Sequence, residues 1–351
     1  MKNPYKIAAA MAFLAATMTA SEPGGMHDFF ELLRDHAGLT QHDMNVALPA
    51  GKAVAINLSH HEKDEIAVAG AGRIRVPLHF FVDSFRQMPS MQRGQQLITR
   101  PFSDPPQLKD LDTMTLPAED LRAFAGCRPG MCDVKLSAAM MAQLGAGARA
   151  TAGAGLTEIF RKLIFEYVTR YLANGNRAMM IYADKPEPVE SSAAFLRLVK
   201  ESDWLRQEAR PLYDCLQSFS GRPCPEVDSF FFWSIASFGF KPVFSVTHVM
   251  THRTARQGRP WMFIAFKQIY ADHYLDASLG LAVLGAESGD AATWVFYVNR
   301  TRIDALGGWL GPLKRSVMED KSRVQMRQNL SGLKNSLEMK FATGARYHSG
   351  G

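Results

Sequence analysis

Between Ser229 and Leu306 the chain carries long apolar runs whose side chains alternate with a period of two, and this stretch limits the possible folds more than any other. Lys241 to His252 is rich in β-branched and aromatic residues. On a strand, Phe244, Val246, His248, Met250 and His252 share one face, and Val243, Ser245, Thr247, Val249 and Thr251 the other. Arg256-Gln257-Gly258-Arg259-Pro260 supplies a turn, and Trp261 to Tyr270 reads as the next strand. His273 to Gly285 is a third strand, Glu287-Ser288-Gly289-Asp290 a hairpin turn, and Thr293 to Ile303 a fourth strand. Runs of about ten residues are roughly twice the usual strand length. Long strands with a small-residue face suit a sheet that bends around something.

After Gly307-Gly308 and Gly311-Pro312 the period changes. Leu313, Val317, Val324, Leu330, Leu333, Leu337 and Phe341 approximate a helical stripe with one loose interval, and Pro312 suits a first helical turn. An antiparallel sheet followed by a long C-terminal helix resembles the START/polyketide-cyclase (helix-grip) superfamily over about residues 228–341. The resemblance is one of pattern. It implies an apolar cavity inside a curved sheet, closed by the last helix.

The N-terminus, with Lys2 and Lys6 before the apolar run Ile7 to Ala20, reads as a secretory signal peptide over residues 1–20. The run is short of the ~20 residues that span a bilayer. The expected location is therefore periplasmic or secreted. In such an oxidising compartment the close pairs Cys127 with Cys132 and Cys215 with Cys224 are expected to form disulfides. Basic side chains number 40 against 34 acidic, and losing Lys2 and Lys6 with the leader leaves +4. Leu313 to Phe341 alone holds seven basic residues and three acidic, so the rest of the mature chain is neutral. That helix could touch an anionic membrane surface. Nucleic acid is a poor partner for an exported chain without a binding motif.

Residues 26–145 read as a small α+β domain of short helices and strands, with Ala69-Gly70-Ala71-Gly72 splitting one strand in two. Asp133 to Ser137 reads as extended, and Arg177 to Ala183 as a buried strand. A Gly/Ala-rich junction at 145–155 leads into a helical block, Leu156 to Leu216, that precedes the sheet. Residues 150–345 form the second domain. The fold class is α+β: a C-terminal curved antiparallel sheet covered by a long C-terminal helix, preceded by a smaller α+β domain.

No nucleophile elbow, phosphate loop, dinucleotide fingerprint or zinc-protease motif is present. His248 and His252 share a strand face but lie ~13 Å apart, too far for one metal ion. His60-His61-Glu62 sits in a polar turn. No metal site and no cofactor are expected. The stretch Lys267 to Asp276 concentrates protonatable groups in an apolar region, where buried polar groups must pair. Asp272 or Asp276 could pair with His273, or with Arg300 and Arg302 of the next strand. The leading expectation is a binding protein for an apolar or amphiphilic small molecule or lipid. Tyr270, His273, Tyr274, Arg300, His248, Asp272 and Asp276 would contact that ligand. One alternative is an enzyme using His273 with Asp272 or Asp276 as acid and base; another is a cell-envelope scaffold without ligand.

Overall fold

The computed structural model describes residues 24–60, 62–86, 97–151, 155–236, 241–306 and 311–348. The expected leader and His61 lie outside the described residues. In chain order the helices are α1 (Gly24–Ala37), α2 (Leu78–Arg86), α3 (Ala118–Ala123), α4 (Ala138–Thr151), α5 (Leu156–Asn174), α6 (Ser191–Glu201), α7 (Trp204–Glu208), α8 (Arg210–Ser218) and α9 (Gly311–His348). The strands are β1 (Val54–Asn57), β2 (Glu65–Ile74), β3 (Leu97–Pro101), β4 (Ile181–Tyr182), β5 (Val189–Glu190), β6 (Asp228–Ala236), β7 (Val243–Arg256), β8 (Arg259–Ala271), β9 (Leu275–Ala286) and β10 (Thr293–Ile303). The fold is α+β, with a large antiparallel sheet and a long C-terminal helix.

β6 to β10 run as consecutive antiparallel neighbours. The β7–β8 hairpin turns on Gln257 and Gly258, both left-handed (φ 47° and 74°), the backbone that a tight two-residue turn demands. The full sheet has eight strands in the order β1-β2-β10-β9-β8-β7-β6-β3. Its two edges therefore come from the N-terminal third. Residues 26–145 supply β1, β2 and β3 to the same sheet as the later strands. Gly70 and Gly72 do not split β2, because both pair in register with β10. Asp133 to Ser137 forms no strand, and only Ile181–Tyr182 of Arg177–Ala183 does so.

The sheet is covered on both faces. One carries Phe244, Val246, Met250, Phe263, Leu279, Leu281, Trp294 and Phe296 against α1 and the helices α4 to α8. The other carries Ile66, Val68, Val249, Met262, Ile264, Leu284 and Val295 against α2 and α9. Each fully buried aliphatic or aromatic side chain contributes about 1.5–3 kcal/mol, so the two layers together dominate stability.

α9 departs from the single stripe expected of it. Met326, Leu330 and Leu337 are its buried residues, while Leu313, Val317 and Val324 are 65%, 47% and 48% exposed. At about 100° per residue, these three lie roughly 140° around the helix from Leu330, Leu333, Leu337 and Phe341. The loose interval in the sequence is the passage from one face to the other. The packed face also lies directly on the sheet. A Cβ at Gly70 would sit 2.7 Å from Leu330 Cδ1, 2.8 Å from Met326 Cγ and 3.0 Å from the Val54 carbonyl oxygen. At that point glycine is what lets the helix approach. Gly70→Val is expected to lower the unfolding free energy by about 1–3 kcal/mol through overpacking. It should also speed protease cleavage within α9; denaturant titration and limited proteolysis check both.

Candidate functional site

Asp272, His273 and Tyr274 form the connection from β8 to β9, with Tyr274 in the left-handed region (φ 58°). A segment from the N-terminal third crosses this connection. Val134 and Leu136 are buried in the apolar core, and Lys135 between them is buried as well, its ammonium 4.9 Å from the Tyr182 ring. The Lys135 N–H donates to the Asp272 carbonyl at 2.7 Å, and the Tyr270 hydroxyl donates to the Lys135 carbonyl at 3.0 Å. The loop just before it is closed by the Cys127–Cys132 disulfide, while Cys215–Cys224 ties α8 to the approach to β6. Two such bridges belong to an oxidising, non-cytoplasmic setting.

The crossing brings Asp120 to Asp272 and His273, which are neighbours in the sequence. His273 Nδ1 lies 3.1 Å from the Asp133 carbonyl and Nε2 lies 3.1 Å from Asp120 Oδ2. Asp272 accepts the Phe244 N–H at 2.9 Å. All three side chains are buried, and each offers a donor atom within 4.8 Å of the others. Burial pushes the Asp272 carboxyl up to about 7, against the pull of His273. Burial disfavours the His273 cation, but the Asp120 hydrogen bond and the Asp272 charge outweigh it and raise its pKa. Lys241 rims the cluster, 3.7 Å from Asp120 Oδ1 and 3.6 Å from Glu119. Both ring nitrogens of His273 are thus engaged by groups of the protein itself.

Asp276 joins a different group. Its carboxylate lies 2.8 Å from the buried Lys135 ammonium, with Asp304 at 3.1 Å and Asp184 at 3.6 Å. Lys185 adds a second cation 2.9 Å from Asp304. Burial opposes the Lys135 charge, yet the three carboxylates raise its pKa. Arg300 is elsewhere again, 2.6 Å from the buried Glu65, and Arg302 is 2.6 Å from Asp64. The expected pairing of Asp272 or Asp276 with Arg300 and Arg302 is thus replaced by closer partners on other elements. Tyr274 is half-buried on the α2/α9 side, apart from Tyr270 in the other layer.

His248 faces the helical layer. It stacks on Phe231 (4.1 Å), shares a 3.1 Å hydrogen bond with the Tyr171 hydroxyl, and its Nε2 has no hydrogen-bond partner among the described residues. His252 takes the Glu226 carbonyl at 2.9 Å instead. Opposite His248 in the ladder stands Lys267, fully buried. Its amine donates to Asn176 Oδ1 and lies over the rings of Phe195 (4.5 Å), Tyr171 (5.1 Å) and Phe219 (6.0 Å). Burial holds the pKa of both His248 and Lys267 well below the ordinary values.

A cavity of about 590 Å³ opens in the same helical layer, lined by Ser137, Arg170, Asn174, Arg177, Ala178, Met179, Met180 and Ile181. Gly175 makes this wall possible: with φ 63°, a Cβ there would come within 2.0 Å of the Phe219 carbonyl oxygen. The reversal brings the end of α5 and Arg177 to one rim, and turns Asn176 inward to Lys267. Arg170 also lies over the Tyr167 ring at 5.7 Å. Nothing in the local sequence marks these arginines, because the turn unites them. The residues expected to contact ligand do not line this cavity, and among them His273, Asp272 and His248 are closed into the core.

No protein-family model, no curated protein and no solved structure matches the chain.

Lys267 gives the sharpest test of the buried electrostatics. An amine whose folded pKa is depressed leaves the unfolded chain holding the extra proton between the two values. Its contribution to stability therefore rises with pH up to the ordinary lysine value near ~10.4. Lys267→Met, apolar and similar in length, is expected to stabilise the protein by about 1–4 kcal/mol at pH 7. The gain should shrink as pH approaches 10; denaturant titrations of both proteins at pH 7, 8.5 and 10 measure it.

Proposed function

We propose that the protein is an exported, periplasmic or secreted, binding protein for a small amphiphile with an anionic end, held in the Arg170/Arg177 cavity. The observation that carries this reading is an open depression of about 590 Å³ lined by Arg170 and Arg177 together with Met179 and Met180. Arginine suits a carboxylate or phosphate because its planar fork donates two parallel hydrogen bonds. Met179 and Met180 supply an adaptable apolar surface for the remainder. The hollow between sheet and α9, where the helix-grip resemblance would put a ligand, has less in its favour, since α9 rests on β2 at Gly70.

Calorimetric titration with decanoate, decyl phosphate, decanol and decyltrimethylammonium tests the reading. The two anions should bind and the cation should not. Arg170→Ala and Arg177→Ala should each weaken anion binding about 10- to 100-fold, as loss of a charge-assisted hydrogen bond of ~1.5–3 kcal/mol requires. Equal binding of all four compounds would sink the proposal.

A second reading rests on the outward face of α9. Leu313, Val317 and Val324 form an exposed apolar strip beside Lys314 and Lys321, the composition of a helix that lies on an anionic bilayer. Among the described residues no helix is long and apolar enough to cross a membrane. Sedimentation with phosphatidylglycerol-containing vesicles should pull the protein down, phosphatidylcholine vesicles should not, and Val317→Glu/Val324→Glu should abolish the effect.

A further inference from the structure

The Asp120, Asp272 and His273 cluster has the parts of a metal site arranged in two shells. Nδ1 of His273 faces the Asp133 carbonyl, which can only accept, so Nδ1 carries a proton. In the neutral ring Nε2 then presents its lone pair, and it presents it to a carboxylate oxygen 3.1 Å away. Two lone pairs at that distance repel unless a cation lies between them. Asp120 Oδ1, fully buried, makes no hydrogen bond among the described residues, although Lys241 stands 3.7 Å off. Lys241 is the one cation beside the two carboxylates of the cluster, and a further cation completes the balance: a proton, on His273 or on Asp272, or a metal.

We propose that Asp120, Asp272 and His273 bind a divalent transition-metal ion. Around zinc, with bonds near ~2.0–2.2 Å, neighbouring ligands stand about 3.3 Å apart, close to the observed separation of Nε2 and Oδ2. One imidazole nitrogen with two carboxylate oxygens suits zinc or manganese, whereas magnesium prefers oxygen alone. The outer shell is already in place. The Asp133 carbonyl fixes the ring tautomer and the Phe244 N–H orients Asp272, as such partners do around ligating histidines and carboxylates. The ion would link α3 to the β8–β9 connection. Its binding displaces the proton that otherwise joins Asp120 to His273.

The test titrates chelator-treated full-length protein with Zn²⁺, Mn²⁺ and Mg²⁺ at pH 7.5 by calorimetry in two buffers of different ionisation heat. Expected are one Zn²⁺ or Mn²⁺ per chain, a buffer-dependent heat from proton release, and no Mg²⁺ binding. His273→Gln and Asp120→Asn should each weaken Zn²⁺ binding by more than the about 100-fold typical of losing an outer-shell partner. Should either variant fail to fold, ¹⁵N-histidine NMR of the wild type decides: the Nε2 resonance of His273 must shift with one equivalent of Zn²⁺. Wild type that takes up no Zn²⁺ or Mn²⁺ overturns the proposal and leaves a proton as the bridging cation. So does uptake that leaves the His273 resonance unmoved.

Discussion

One ammonium group buried among three carboxylates sets the position of four chain segments at once. Lys135 comes from the loop after the first disulfide, Asp184 follows β4, Asp276 lies in β9 and Asp304 follows β10. Removing one partner from a buried ion pair costs about 3–5 kcal/mol, because the others keep their desolvation penalty without its compensation. No one of these segments can move alone. The backbone bonds at Asp272 and Tyr270 add direction to what charge alone would leave loose. This junction, together with the edge strands β1 and β3 and the interior strand β2, is why the N-terminal third folds as part of the sheet.

Covering both faces of a sheet with helices leaves its polar side chains few places to go. Apart from His248 and Lys267 within β7 and β8, many collect toward strand ends and in the connections, where Asp64, Glu65, Asp272, His273, Asp276, Arg300, Arg302 and Asp304 are found. Each must be satisfied by whatever element passes over that end. The Lys267 to Asp276 run was visible in the sequence as a concentration of such groups, and most of them are buried against partners. The partners themselves were invisible. Asp120 lies 153 positions from His273, and Glu65 lies 235 from Arg300. Contacts that far apart leave no periodicity.

What was legible is what is local. Period-two alternation marks β7 to β10, Gln257-Gly258 marks their hairpin, and the cysteine spacing marks both bridges. α9 shows how local reading fails: seven apolar residues at nearly helical intervals looked like one stripe but occupy two faces, because a single extended interval rotates the second set away. The glycines of β2 misled for a related reason. Read along the chain they signal a break, whereas across the sheet Gly70 is the gap that admits Leu330 and Met326. A glycine's meaning depends on what lies over it.

The turn at residues 174–177 joins the buried chemistry to the open cavity. Arg177 and Asn174 face the cavity, while Asn176 between them points inward and gives its carbonyl oxygen to Lys267 and its amide to the Leu216 and Gln217 carbonyls at the end of α8. Those three bonds fix Asn176, and Gly175 fixes the backbone on its other side. Arg177 is therefore carried on a braced turn, while Arg170 belongs to α5. A buried amine without a carboxylate is costly by itself. Here it anchors the turn that carries Arg177, and that gives a structural reason for a lysine where methionine would pack as well.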